Sequence, residues 1–521
     1  MSSLLPDTSA KSFFRILLRH RTSILLTLIY AALISFISAH HEVWRDEVRA
    51  LSIATDSRSL GEMFSALKNE GHPFLWYIIL YFSSKIIQAP VVLKIVHILI
   101  ATIAVYIFLS KAPFKWFQKV LFILGYFPLY EYAVINRHYG LSMLFLFLLC
   151  ALYSQRFEKS VLLGVVLFLL ANTTAHALII ALSVTSVWAL EYLISKPLQK
   201  SKSNPKEFII GLTIAVMGIA LSIICVLPDK TTAATSIYCL NSSIILRVLI
   251  ETIKNAVVFP GKLFPILCLD TVILTPCVIW LLYIYLLRKP FILMVFLLSA
   301  MGLNLFFSII YPAWPRHHGY FYLLIVMALW MDNTEKNSGK ILYQIPVHIA
   351  AFISNFLFIL LATLQVLLAH PTVMRDIQED FSSSKRFGSF IKSHDELKNA
   401  ILLSEPDFFA EAMPYYVNNL IYIPREKRFG KTAIFTTRSK LIYSLGELLN
   451  TAKKLRALHH RPVLFMIAYP LGPEGPFEML EGFERTFTYS TDSLKLFLKN
   501  TKKIADFHQA GDENYDIFLL R

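Results

Sequence analysis

Up to about residue 370 the chain is a succession of apolar runs separated by short polar loops, and few folds accept such a pattern. The runs lie near 22–39, 91–110, 116–133, 140–154, 160–177, 178–195, 207–227, 264–287, 290–311, 317–331 and 342–369. Inside a bilayer every backbone N–H and C=O needs a partner within the protein, so runs of this length read as membrane-crossing helices. The 521 residues are 56% hydrophobic and only 16% charged, which excludes an ordinary soluble protein. A net charge of +15 would suggest a nucleic-acid partner in a soluble chain. Much of that excess lies in short loops between apolar runs, so membrane lipids are the partner and nucleic acid is not.

Charge parity sets the topology. Lys111/Lys115/Lys119, Arg156/Lys159, Lys196/Lys200/Lys202/Lys206 and Arg288/Lys289 fall on the same side as Arg15, Arg19 and Arg21 only if 72–89 lies along the surface. The positive-inside rule therefore predicts about eleven spans, an interfacial helix at 72–89, a cytoplasmic N-terminus and an outer C-terminus. His40, His41 and Glu42 follow the first run where a signal peptide would carry small residues, so that run is read as a retained span. The five cysteines show no metal-binding spacing.

Residues 1–371 form the membrane module, with a first outer loop at 40–90, and residues 372–521 an outer α/β domain. Strands are predicted at 400–403, 420–423, 433–436, 463–468 and 515–520. A helix over 441–459 carries Leu445, Leu448, Leu449, Ala452, Leu455 and Leu458 on one face. This pattern reads as a small Rossmann-like sandwich. It has no Gly-rich phosphate turn, so the domain is expected to be dispensable for chemistry but not for acceptor choice.

Four polar clusters fall in loops that this topology places on one face. His41–Glu42–Val43–Trp44–Arg45–Asp46–Glu47 follows the first run; a carboxylate pair at a membrane edge is costly and reads as functional rather than as a helix cap. Glu70–Gly71–His72–Pro73 opens an aromatic helix, where proline suits a helix start. Asn136–Arg137–His138–Tyr139 and Pro315–Arg316–His317–His318 offer fixed positive charge beside the bilayer, suited to a phosphate, although arginine also snorkels there as an anchor. His176, at a hairpin tip, and Lys230, in a long loop, are weaker candidates.

An acidic pair after the first span, followed by Gly-His-Pro opening an apolar helix, resembles the membrane glycosyltransferases of the C-type fold. Within them it is most similar to the group of protein O-mannosyltransferases and lipid A aminoarabinose transferases. The resemblance implies an inverting transferase that moves a sugar from a polyprenyl-phosphate donor to a hydroxyl of a lipid, glycan or protein acceptor. It implies Asp46 as base, Glu47 orienting an acceptor or a metal, and Glu70, His72, Arg137, His138, His176, Lys230, Arg316 and His317 as substrate contacts. Arg137 departs from the family stretch downstream, where Gly140–Leu141–Ser142 replaces an acidic residue. No cofactor is certain; a divalent metal stays open. A bacterial inner membrane is the expected location, and a lipid-linked sugar flippase or a polysaccharide polymerase is the alternative function.

Overall fold

The computed structural model describes residues 8–68, 70–194, 204–227, 275–310, 314–335, 345–475, 477–481 and 485–521. The protein is a multi-pass membrane protein. Among the described residues six helical segments are long and apolar enough to cross a bilayer: His20–His40, Val92–Lys111, Ala175–Ile194, Pro205–Val226, Pro290–Ile309 and Val347–Gln378. The helices of this half run in the order α1 (Thr8–His40), α2 (Arg45–Asp56), α3 (Leu60–Ala66), α4 (Leu75–Ile86), α5 (Val92–Lys111), α6 (Trp116–Ile123) and α7 (Tyr139–Tyr153). There follow α8 (Ser160–Ala171), α9 (Ala175–Ile194), α10 (Pro205–Val226), α11 (Thr275–Leu286), α12 (Pro290–Ile309), α13 (Pro315–Thr334) and α14 (Val347–Gln378).

The expected runs and the observed helices differ at informative places. The run at 116–133 is not one helix: α6 stops at Ile123 and a π-helical turn occupies Phe127–Glu131. Irregular backbone at such depth is tolerated only where protein satisfies it. Here Tyr30 donates to the Pro128 carbonyl at 2.5 Å, and the His97 ring nitrogens sit 3.0 Å and 2.8 Å from the carbonyl oxygens of Ala133 and Arg137. The 72–89 segment forms α4, whose 12 residues span about 18 Å, well short of a hydrocarbon core of about 30 Å. The run at 317–331 lies within α13, in which every residue from His317 to Asp332 is buried. A helix wrapped by protein on all sides tolerates the polar residues that weaken its apolar signal. Of the run at 264–287, only the part from Thr275 on lies within the described residues.

Close helix packing rests on small residues, as expected where lipid supplies no hydrophobic drive between helices. A Cβ on Gly164 of α8 would meet the Gly211 backbone oxygen of α10 at 2.1 Å. The same pair is stitched by Ser222 donating to the Ala171 carbonyl at 2.6 Å and Asn172 donating to that of Gly218 at 3.0 Å.

The helix of the last span continues past the expected boundary at 371/372 to Gln378, so the strand-containing domain follows a rigid stalk. Its helices are α15 (Ser384–Ser393), α16 (Met413–Tyr416), α17 (Leu445–His459) and α18 (Thr491–Asn500). Its main sheet joins β1 (Ile401–Glu405), β5 (Val463–Ile467), β9 (Tyr515–Leu520) and β8 (Thr501–Phe507) in the order β1-β5-β9-β8. Only β1 and β5 are parallel; Leu464 faces Leu519 and Lys502 faces Leu519 in antiparallel registers. The Rossmann-like expectation is therefore corrected to a mixed sheet, because β8 and β9 are hairpin neighbours rather than parallel strands joined by a crossover. Short strands β2 (Tyr422–Ile423) and β3 (Arg428–Phe429) pair with each other. Strands β4 (Ile442–Ser444), β6 (Glu478–Leu480) and β7 (Thr486–Thr488) form a second sheet.

The strand expected at 433–436 does not form. Its backbone is taken by side chains instead: Ala433 N–H donates to Glu411 at 2.7 Å, and its carbonyl accepts from Arg49 at 2.9 Å. Helix α17 starts with a reciprocal cap between Ser444 and Glu447 and buries Leu445, Leu448, Leu449, Ala452 and Leu455. Leu458, expected on that face, is 74% exposed at the fraying end.

Candidate active site

The acidic pair lies in the first turn of α2, where carboxylates favour the helix dipole. Its two members point to different fates. Glu47 is fully buried, and both of its oxygens are occupied. One accepts from the Trp44 N–H and approaches His41 Nε2, each at 3.1 Å. The other accepts from the backbone and side-chain amides of Asn136 at 2.5 and 2.8 Å. With its acceptors turned inward, Glu47 positions α2 against the 136–138 loop rather than facing an acceptor or a metal, as the sequence reading had it.

Asp46 keeps 28% of its side-chain surface open. Arg137 Nη1 donates to it at 2.8 Å, Arg316 Nη2 at 3.5 Å, and Arg45 Nε stands 3.9 Å away. Burial pushes its carboxyl up, but Arg137, then Arg316 and Arg45, outweigh that and hold it below the ordinary aspartate value. One ionised carboxylate thus sits between two guanidinium groups delivered by loops far apart in sequence.

The remaining candidates gather around this trio. His72 packs on His138 with ring centroids 4.3 Å apart. Burial and then Arg137 push His72 down to about 3, and burial with His72 and Arg137 holds His138 well below its usual value, so both rings are neutral. His176 stacks on His317 at 4.7 Å and on Tyr320 at 5.0 Å. His317 Nδ1 accepts from the Trp314 N–H at 3.0 Å, which leaves Nε2 to donate to the Tyr139 hydroxyl at 3.0 Å. Gly319, two residues on, leaves room for Tyr132: a Cβ there would lie 2.2 Å from its hydroxyl. Arg316 Nε, His138 Nε2 and both His176 nitrogens are buried without a hydrogen-bond partner among the described residues, and such groups call for an explanation. Lys230 lies outside the described residues.

No protein-family model matches the chain, and none of the curated proteins does. Two solved structures align along it. The crystal structure of ArnT from Cupriavidus metallidurans bound to undecaprenyl phosphate is 11% identical, over 95% of this chain and 97% of that one, with a TM-score of 0.45. The cryo-EM structure of arabinofuranosyltransferase AftD from Mycobacteria is also 11% identical, over 96% of this chain but 41% of that one, with a TM-score of 0.38. Likenesses at this level carry no weight for activity. The residues must.

Several contacts that shape the site have no signature in the sequence. Glu70 is committed to Arg49, accepting at 2.6 and 2.8 Å, so it braces α2 instead of facing a sugar. Arg49 also donates to Glu411 at 2.6 Å, and Arg45 reaches Asp512 at 3.2 Å and Glu513 at 3.3 Å. The C-terminal domain therefore clamps the helix that bears Asp46. His41 is held from both sides, Nδ1 by Asp376 at 3.0 Å and Nε2 by Glu47. Among the described residues no group of three or more His, Cys, Asp or Glu side chains converges as a metal site would.

His41 supplies a pH prediction. Burial pulls its value down, but Glu47 and Asp376 outweigh burial and push it up to about 9 from 6.5. A group raised on folding stabilises the protein fully below its unfolded value and loses that contribution as pH climbs through the folded one. Thermal stability in detergent is therefore expected to fall between pH 6.5 and 9. His41→Gln is expected to lower the midpoint at pH 6.5 and to flatten that slope. An unchanged slope in the variant would assign the pH dependence elsewhere.

Proposed function

We propose that the protein is an inverting glycosyltransferase that takes a sugar from a polyprenyl-phosphate donor and passes it to an acceptor hydroxyl at the outer face of the membrane. The observation that carries this reading is the Asp46 carboxylate held between Arg137 and Arg316 in a partly open site. Two guanidiniums suit a leaving phosphate, through paired charge-assisted hydrogen bonds. A carboxylate beside them suits the proton of an attacking hydroxyl. The resemblance of the acidic pair and the Gly-His-Pro opening points to the same chemistry.

In this mechanism the donor phosphate draws Arg137 and Arg316 away from Asp46. Losing two opposite charges raises the carboxylate's basicity as the donor seats, so the base is strengthened only when there is something to react with. The acceptor oxygen then attacks the anomeric carbon from the face opposite the phosphate, its proton passes to Asp46, and the C–O bond to phosphate breaks. Arg316 and Arg137 take up the growing negative charge. Neutral His72 and His138 add hydrogen-bonding rings without a charge that would hold the phosphate product.

The direct test is transfer of radiolabelled sugar from a polyprenyl-phosphate donor by the purified full chain. Radiolabel that moves across a liposome wall without a new glycosidic bond would replace this reading with a transporter. Orientation is tested separately by cysteine labelling in cells. Ser59→Cys and Ser389→Cys are expected to react from outside, and Ser201→Cys only after permeabilisation. Outside labelling at position 201 would reverse the assigned face.

A further inference from the structure

His41 does more than hold Glu47 and Asp376: it also lines a half-open cavity of about 220 Å³ that none of Asp46, Arg137 and Arg316 touches. Lys94 of α5 enters from the membrane half, and Lys385, Ser389 and Lys392 enter from α15 of the C-terminal domain. Among the described residues no carboxylate lines the cavity. Lys94 spends two of its three donors on the carbonyls of Ser38 and His41, which fixes its ammonium at the end of α1. Lys385 stands 3.4 Å from Glu42, while among the described residues neither Lys94 nor Lys392 has a carboxylate partner.

The level of the cavity matters as much as its charge. Ala39 and His41 lie where the first span ends at His40, and Lys94 lies in the first turn of the span that begins at Val92. Nearby positions in the chain, at the end of α1 and the start of α5, are apolar and open: Phe36 is 56%, Val91 45% and Ile95 37% exposed. Ammonium groups that meet at the level where two apolar spans end fit an amphiphile with an anionic head. Isolated surface lysines are ordinarily just solvated. Here lysines from two separate parts of the fold meet in one concavity, which solvation alone does not require. The cavity is smaller than the roughly 300–1,000 Å³ of sites for drug-sized ligands, so it suits a phosphate head rather than a lipid-linked glycan.

We propose that this cavity binds the phosphate of an anionic membrane phospholipid, gripped by Lys94, Lys385 and Lys392, as a site separate from the one at Asp46. A lipid seated there bridges the ends of α1 and α5 to α15 and fastens the C-terminal domain to the bilayer. The site stands independently of the transfer reaction, and its test reads no turnover.

The experiment is native mass spectrometry of the full chain in mild detergent, titrated with phosphatidylglycerol, phosphatidylcholine or inorganic phosphate. Phosphatidylglycerol is expected to stay bound, with the other two retained far less. Each lysine near an anionic surface contributes about fivefold in affinity, so Lys385→Ala with Lys392→Ala is expected to weaken phosphatidylglycerol by roughly 25-fold at low salt. Both side chains are exposed on α15, so the fold should survive. The control pair Lys453→Ala with Lys454→Ala, on exposed positions of α17, is expected to change binding little. Equal affinity in the native chain and the α15 double variant would overturn the proposal, as would an equal loss in the control pair. Inorganic phosphate binding as tightly as the lipid would make this a free-phosphate site and overturn the lipid assignment.

Discussion

Asp46→Asn is expected to leave a folded protein whose transfer rate has fallen by about 10²–10⁴, the usual cost of losing one positioned base. Its effect on binding should run the opposite way. In the native site Asp46 occupies Arg137 at 2.8 Å and Arg316 at 3.5 Å, the same groups that the donor phosphate needs. An asparagine releases both, so donor affinity should hold or rise while turnover collapses. A purely structural ion pair predicts something else. Breaking a buried pair typically costs about 3–5 kcal/mol, which would appear as lost expression or a lowered melting point. The 28% exposure of Asp46 already argues against so large a penalty, because water can solvate the guanidiniums left behind. Transfer rate, donor affinity and melting temperature on one preparation separate the two readings. Native turnover in the folded asparagine variant would remove Asp46 from the chemistry.

Arg316→Ala should lower turnover by about 10²–10³ and weaken donor binding much less, because a leaving phosphate gains charge only as the glycosidic bond breaks. The side chain is placed for that role. It lies about a fifth exposed, its guanidinium 5.9 Å from the centre of the Trp44 ring and 6.0 Å from that of Trp314, and its buried Nε has no partner among the described residues. Arg316→Lys should rescue only part of the loss, since a point charge cannot reproduce a planar fork of donors. If Arg316 were only an interfacial anchor, lysine would snorkel equally well and restore nearly full activity. Full activity in the lysine variant would therefore strike Arg316 from the site.

The departures from the sequence reading share a physical origin. Glu47 and Glu70 carry the same chemical signature as Asp46: acidic residues in a membrane-edge loop. What separates them is partner geometry, for Asn136 and His41 consume Glu47, and Arg49 consumes Glu70. None of those pairings follows a periodicity. The domain's contacts with α2 escape a reading of the sequence for a similar reason. It lacks a phosphate turn, and a reading by motif finds no chemistry there. Its contribution is instead a set of carboxylates, Glu411, Asp512 and Glu513, that grip Arg45 and Arg49 from positions more than 300 residues away.

The sequence by itself determined that this chain lives in a membrane, because hydrocarbon admits only backbone whose polar groups are satisfied internally, and apolar runs declare that constraint locally. It also determined which loops carry the carboxylates, arginines and histidines, since polar residues at a membrane edge stand out against apolar neighbours. Only the tertiary structure decided which carboxylate stays open to a ligand. It decided too that α13 is a fully enclosed helix, and that α2 is clamped by the C-terminal domain. Those outcomes depend on side chains meeting across long separations, and their free energy comes from burial and charge pairing that no local window of residues contains.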